Sequence, residues 1–507
     1  MLATAYSSAV LGVDAYLVEV EVDVARGGMA KFVVVGLPDA AVRESADRVR
    51  VALAGQGYRM PVTRVLVNLA PADTRKEGPA FDLPIAIGIL AANGQIPPEP
   101  LRDFLITGEL SLEGTLRPVS GVLPMALAAR EAGKRGLILP AENAREAAVV
   151  RGLEVYPVQN IREAVAALAG SGRAFAPEDL SATLMDPEWP IDFSDVRGQE
   201  HVKRALEVAA AGGHNLLMVG PPGSGKTMLA RRVPTILPPL TFDEALEVTK
   251  LYSVTGQLGR ERSLITMRPF RAPHHTVSDA GLIGGGSVPK PGEVSLAHHG
   301  VLFLDELPEF PRTVLEVMRQ PLEDGHVTIA RAAASLSYPA RCIFVGSMNP
   351  CPCGYHGDTI RQCTCGEHQI ARYMGRISGP LMDRIDIHIE VPRVKHDELL
   401  APPKGESSRA IRERVQRARD IQQRRYQGSG VFVNAAMTSR QTRLFCRVEP
   451  AGEELLKTAI TRLGLSARAY DRVLRLARTI ADLAAAETIG VPHVAEAIQY
   501  RSLDRQL

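Results

Sequence analysis

From Met1 to about Leu168 the chain alternates short apolar runs with longer amphipathic ones. Leu17–Val24, Lys31–Val35 and Val62–Leu69 read as strands, and Ala40–Ala54 and Val122–Ala132 as helices. This block is expected to be an α/β or α+β domain. Gly170–Pro190 breaks the pattern with Gly, Pro, Ser and Ala and contains the single tryptophan, Trp189, so residues 169–190 read as a linker. Between residues 191 and 395 the apolar runs Asn215–Val219, Val301–Leu304 and Cys342–Val345 each end in small or acidic residues. That is the pattern of a parallel sheet with function at the carboxyl ends of its strands. Residues 396–507 read as helical, with Glu453–Leu463, Ala467–Ala486 and Val491–Tyr500 as the clearest helices.

Composition narrows the classes. The 59 basic and 57 acidic residues leave a net charge of +2, so any nucleic-acid surface must be local. Hydrophobic residues make up 45% of the chain and charged residues 23%, as in ordinary globular proteins. The longest apolar run, Leu83 to Ala92, is about half of the ~20 residues a membrane-spanning helix needs. Met1–Leu11 lacks the basic start and long apolar stretch of a secretory signal, so the cytoplasm is the expected location. Six cysteines in 507 residues do not make a disulfide scaffold.

The most specific chemistry is Gly220-Pro221-Pro222-Gly223-Ser224-Gly225-Lys226-Thr227, a complete G-x-x-x-x-G-K-[ST] between a strand and a helix. Glycines let backbone N–H groups face phosphates, Lys226 places its charge on the β/γ-phosphates, and the Thr227 hydroxyl ligates Mg²⁺. Downstream, Gly300-Val-Leu-Phe-Leu-Asp305-Glu306 predicts a buried strand ending in two carboxylates. Asp305 is expected in the Mg²⁺ shell, and Glu306 is expected to polarise the attacking water. No N-K-x-D motif follows, which favours ATP over GTP.

At these residues the chain resembles the AAA+ ATPases, and within them the magnesium-chelatase-like clade that also holds the MCM helicases. The stretches Arg268-Pro-Phe-Arg-Ala-Pro-His-His-Thr, Ala280-Gly-Leu-Ile-Gly-Gly-Gly and Pro291 to Phe310 resemble the ComM/YifB-like family along essentially the whole chain. The resemblance implies a P-loop AAA+ parallel-sheet domain followed by a C-terminal helical lid. It implies that Asn349, in Ser347-Met-Asn349-Pro, is the sensor-1 residue. Arg384, in Pro380-Leu-Met-Asp-Arg384, then corresponds to the arginine finger, and Arg468 to the sensor-2 arginine of the lid. A finger acting on a neighbour's ATP implies a homo-oligomer, usually a hexameric ring.

The first block resembles the Lon protease domain, a ribosomal-protein S5 domain 2-like α+β fold. The matching stretches are Lys76-Glu-Gly-Pro-Ala80-Phe, Ile106 to Gly121 and Gly136-Leu-Ile-Leu-Pro. Lon-type proteolysis needs a serine activated by a lysine. The alignment puts Ala80 and Leu123 at those positions, so this domain is expected to be a scaffold or interaction module rather than an active protease. Ser111, Ser120 and Lys134 read as surface residues.

Cys351, Cys353, Cys363 and Cys365 form two C-x-C pairs in one short insert, 351–365. Such a set suggests a Zn²⁺ site, with His356 or His368 able to replace a ligand; free thiols are the alternative. His274-His275 and His298-His299 are expected to be structural or nucleotide-coupled. Glu323 to Pro339 reads as a β-hairpin, which the resemblance places in the ring's central channel as a presensor-1 hairpin, with Arg331 near its tip to contact DNA phosphate. A second pore loop is expected in Gly281–Pro291, with Lys290 as its charge. The arginine-rich segment Lys404–Arg425 offers a further phosphate-binding face or simply a solvated one.

Three functions fit the sequence. The first is a ring-shaped ATP-driven DNA motor, which the resemblance implies acts as a helicase in branch migration during integration of transforming DNA, on single-stranded or branched DNA. The second is a protein-remodelling or regulatory ATPase. The third is a magnesium-chelatase subunit, which the fused Lon-like domain argues against.

Overall fold

The computed structural model describes residues 1–176, 184, 189–259, 262–286, 289–331, 334–358, 360–394, 405–463 and 466–501. Half of the expected linker, and the expected boundary near residue 395, lie outside them. The chain divides into two compact units: Met1–Ala182 with Phe242–Ile265, and Thr183–Thr241 with Thr266–Leu507.

The first unit is built on a seven-stranded mixed sheet. Its strand order is Phe32–Val35, Val65–Ala70, Asp14–Val24, Leu2–Leu11, Phe104–Ile106, Gly136–Pro140 and Glu154–Val158. Leu2–Leu11 and Asp14–Val24 pair antiparallel along their whole length, from Leu2 opposite Asp23 to Leu11 opposite Asp14. The longest apolar run becomes the helix Asp82–Ala92, in which every residue is buried. Its lack of a polar face is explained by burial on all sides.

Phe242–Ile265 interrupts the second block in sequence, yet its helix Phe242–Val254 packs in the first unit against the helix Val122–Glu131. The Ser253 carbonyl accepts a hydrogen bond from Gly121 N (3.0 Å), and the Ser253 hydroxyl bonds the carboxylate of Glu146. Burial pushes Glu146 upward, opposed by hydrogen bonds from Ser253 and the Leu123 amide.

The two protease positions are accounted for locally. Ala80 lies in the turn Pro79–Phe81, and its carbonyl accepts the Gly108 amide at 2.9 Å. Leu123 is fully buried, with its amide on Glu146 Oε1 at 2.8 Å. Ser111 pairs with the Thr115 hydroxyl (2.6 Å), while Lys134 donates to Arg102 O (2.7 Å) and sits over the Tyr6 ring.

The second unit holds a five-stranded parallel sheet ordered Phe270–Arg271, Val301–Leu304, Ile343–Met348, Leu216–Val219 and Ile387–Glu390. Its central strands are buried throughout, which explains their unbroken apolar runs. The helices Glu200–Gly212 and Lys226–Ile236 pack beside it. The C-terminal helices Ser408–Arg425, Ser439–Phe445, Pro450–Leu463, Ala467–Leu483 and Val491–Gln499 continue the same core.

A buried polar network runs through these helices. Asp482, fully buried, accepts from Arg425 (2.5 and 2.8 Å), Arg478 (3.1 Å) and Asn434 (2.8 Å). His214, also fully buried, bridges Thr479 (2.8 Å) and Asp386 (3.1 Å). Burial pushes Asp386 up, but the His214 bond and the charge of Arg472 outweigh it and leave its pKa at about 2.

No helix among the described residues is long and apolar enough to cross a membrane.

Candidate active site

The loop after Leu216–Val219 depends on glycines at two positions. A Cβ on Gly220 would meet Val391 O at 2.2 Å, so no larger residue fits beside that strand. Gly225 takes φ 89° as the N-cap of Lys226–Ile236, a left-handed conformation that suits glycine. The loop therefore ends on a helix N-terminus with its amides unsatisfied within the helix, a ready anion site.

Lys226 is 8% exposed, and its Nζ donates to Gly220 O (2.7 Å), Pro221 O (3.0 Å) and Asn349 Oδ1 (3.3 Å). Burial lowers its pKa to about 8, against the opposing pull of Asp305 and Glu306. The next residue, Thr227, donates its hydroxyl to Asp305 Oδ2 at 2.7 Å. Asp305 Oδ1 receives the Ser347 hydroxyl and the Glu306 amide (3.0 Å). Thr227 and Asp305 thus bring hard oxygen donors together, a set that fits Mg²⁺. Three adjacent parallel strands place these groups: Leu216–Val219 leads into the P-loop, Val301–Leu304 ends at Asp305, and Ile343–Met348 ends at Asn349.

Glu306 has a left-handed backbone (φ 52°) and an exposed carboxylate. His275 Nδ1 stands 3.7 Å from its Oε2, and the His275 ring stacks on His274 at 4.0 Å. This brings one histidine pair to the carboxylate expected to act on water. The other pair flanks Arg341: His298 Nδ1 accepts the Arg341 amide (3.0 Å), and the His299 amide donates to Arg341 O (2.7 Å).

One contributor had no motif to mark it. Gln199, another left-handed residue (φ 57°), donates its amide to Ser224 O (2.8 Å) and Pro392 O (2.7 Å), tying the P-loop to the end of an edge strand. Ser347 was visible only as part of the Ser347-Met-Asn349-Pro stretch, and His275 only as one of a histidine pair.

Comparison with known proteins agrees with this geometry. Residues 192–399 match the model of magnesium chelatase, subunit ChlI; residues 20–143 match subunit ChlI of Mg-chelatase; and residues 405–501 match its C-terminal region. The chain is 46% identical to the competence protein ComM of Haemophilus influenzae, over 100% of this chain and 98% of that protein. It is 41% identical to YifB of Escherichia coli over the same shares. It is also 32% identical to Lon protease 2 of Bacillus subtilis over 160 residues, 30% of this chain and 29% of that protein. The chain belongs to the ComM/YifB family of magnesium-chelatase-like AAA+ proteins. Membership brings use of a nucleotide and Mg²⁺, and it indicates ATPase activity.

Family motifs can now be placed. Arg384 is held by its own chain: it donates to Pro380 O (2.6 Å) and pairs with Glu323. Arg468 is exposed in the first turn of Ala467–Leu483. The expected hairpin forms from His326–Arg331 and Ala334–Pro339, from His326 opposite Pro339 to Arg331 opposite Ala334; the side chain of Arg331 lies outside the described residues. Lys290 is exposed in a short ladder, opposite Gly285. This second loop is tied to the hairpin, because Tyr338 donates its hydroxyl to Pro289 O at 2.6 Å.

Three arginines of the arginine-rich helix are committed internally, while Arg409, Arg417 and Arg424 are exposed. Arg414 pairs with Glu207 and Glu406, Arg419 donates to Ala210 O, and Arg425 pairs with Asp482. A structural role accounts for Arg414, Arg419 and Arg425. The sulfurs of Cys351, Cys353, Cys363 and Cys365 all lie within 4.8 Å of one another, whereas His356 and His368 are exposed and outside this group.

Proposed function

We propose that this protein is an ATP-driven, ring-forming DNA motor with helicase or branch-migration activity, acting in recombination during natural transformation. The observation that carries this reading is the hairpin. It joins the strand ending at Asp305 to the strand ending at Asn349, so it connects two sides of the hydrolysis site. Tyr338 braces it to the loop bearing Lys290. A change at the γ-phosphate then has a route along the chain to the hairpin, and through the Tyr338 hydrogen bond to the loop bearing Lys290, with Lys290 and Arg331 as the proposed contacts to a phosphate backbone. The name of the competence protein ComM supports the biological setting.

In this reading Lys226 exchanges its carbonyl partners for β- and γ-phosphate oxygens. Glu306 orients the attacking water, with Asn349 beside it. Thr227 and Asp305 would hold Mg²⁺, which would supply charge neutralisation on the phosphates when bound. Arg384 leaves Glu323 to reach the ATP of the next subunit, and Arg468 closes over the nucleotide from the lid. These two roles require a homo-oligomer, which we take to be a hexamer in the cytoplasm. The four thiolates hold a structural Zn²⁺. The first unit, with Ala80 and Leu123 at the protease positions, serves as a scaffold.

A synthetic four-way junction tests the reading. Conversion to arms that depends on ATP and fails with Glu306→Gln is the expected result. An active ATPase that moves no DNA strand, and turns over faster with a protein client, would instead favour a remodelling ATPase.

A further inference from the structure

The thiolate insert is built against the phosphate loop. Cys351 is two residues beyond Asn349, whose Oδ1 accepts from Lys226 Nζ. Gly354 has φ +84°, and a Cβ there would meet Pro222 Cδ at 2.7 Å and Asn349 Cγ at 3.8 Å. Asp358, nearly buried, lies 3.5 Å from Arg393, and the Tyr355 ring lies under Arg361 and Arg393. Arg393 directly follows Pro392, whose carbonyl accepts the Gln199 amide that also holds Ser224. The insert therefore touches the P-loop at Pro222, follows the sensor asparagine, and is tied to the strand end that Gly220 packs on.

Its sulfur geometry suits a metal. A tetrahedral site with Zn–S near 2.3 Å has sulfur–sulfur edges of about 3.8 Å. The distances are 3.7 Å between Cys351 and Cys363, 3.6 Å between Cys353 and Cys363, and 3.3 Å between Cys351 and Cys353. The amides of His356 and Cys365 point at the sulfurs of Cys351 (3.3 Å) and Cys363 (3.4 Å), the donor arrangement that supports thiolate charge around a metal. Among the described residues of the insert, few apolar side chains are buried. Beyond the Asp358–Arg393 pair and the Tyr355 ring it has little apolar packing, without a metal, to hold Gly354 against Pro222.

We propose that Zn²⁺ in this four-thiolate site sets the position of the phosphate loop and of Asn349, so that metal occupancy controls nucleotide affinity. The proposal rests on the zinc reading above and adds the coupling.

The test uses the full-length protein. Metal content is measured directly, and Co²⁺ substitution is followed by the thiolate-to-cobalt charge-transfer band. Binding of a fluorescent ATP analogue is then measured with Mg²⁺ present, before stripping, after stripping with a chelator that is removed, and after Zn²⁺ is restored. One zinc per chain, and affinity that falls about tenfold or more on stripping and returns with Zn²⁺, is the expected result. Cys363→Ser should behave like stripped protein. Gly354→Ala should keep its zinc and still bind nucleotide weakly, which separates contact with Pro222 from metal retention and does not depend on Cys363→Ser folding. Bound zinc with unchanged nucleotide affinity on stripping would overturn the coupling and leave the metal site standing. Absence of zinc and of the cobalt band, iron in its place, or disulfides among these cysteines would overturn the metal reading itself.

Discussion

Lys226 is a charge kept ready in a poor environment. Burial holds its pKa at about 8 while three oxygens occupy its protons. A lysine in the unfolded chain titrates near 10.4. The unfolded state therefore binds more protons between about pH 8 and 10, and this residue's penalty on stability fades as pH rises through that window. A triphosphate beside Nζ favours the charged form. ATP binding should take up a fraction of a proton at pH 9 and much less at pH 7. Calorimetry at pH 9 in buffers of different ionisation enthalpy measures this directly, and Lys226→Ala should abolish both the uptake and most of the binding. In the proposed mechanism Glu306 acts on the water rather than on the nucleotide. Glu306→Gln should therefore retain ATP affinity and lower turnover by about 100-fold or more, as for loss of a positioned base. Single-turnover kinetics distinguish the two, and near-normal turnover would remove Glu306 from the water-orienting role.

Among the elements, legibility followed locality. The P-loop, the strand Val301–Leu304 and the hairpin are each specified within a few residues, so motif and pattern were enough to locate them. Leu2–Leu11 gave no comparable signal. It is rich in Ala and Ser, and Ser7 and Ser8 are fully buried. The departure of Phe242–Ile265 to the first unit was invisible, because a helix pattern does not say which core receives it. Gln199 and Gly354 act through distant partners, the Pro392 carbonyl and the Pro222 ring, which spacing along the chain cannot reveal. Of the arginines of Ser408–Arg425, Arg414 and Arg425 are turned inward onto Glu207, Glu406 and Asp482, while Arg409, Arg417 and Arg424 are exposed. Asp482 is the strongest case: Asp482→Ala leaves Arg425 and Arg478 with an uncompensated buried charge. It should destabilise the second unit by about 3–5 kcal/mol in chemical denaturation, far more than a surface ion pair.

For the whole molecule the question is how hydrolysis in one chain is completed and used. Arg384 is paired within its own chain with Glu323 and the Pro380 carbonyl, while its buried Nε has no partner, so its proposed role needs a neighbour that offers a better one. Arg384→Ala should leave ATP affinity unchanged and reduce turnover by about a thousandfold in the assembled protein. Mixing it with Glu306→Gln chains should restore partial turnover, because intact sites form where an Arg384-bearing chain meets a Glu306-bearing one. The most direct test of the central claim is steady-state ATP hydrolysis by the purified protein without DNA, with single strands, with duplex and with a branched junction. The account predicts turnover stimulated by DNA, strongest with single-stranded or branched forms, and absent in Glu306→Gln. Turnover indifferent to every DNA would contradict the DNA-motor reading while leaving the ATPase assignment in place.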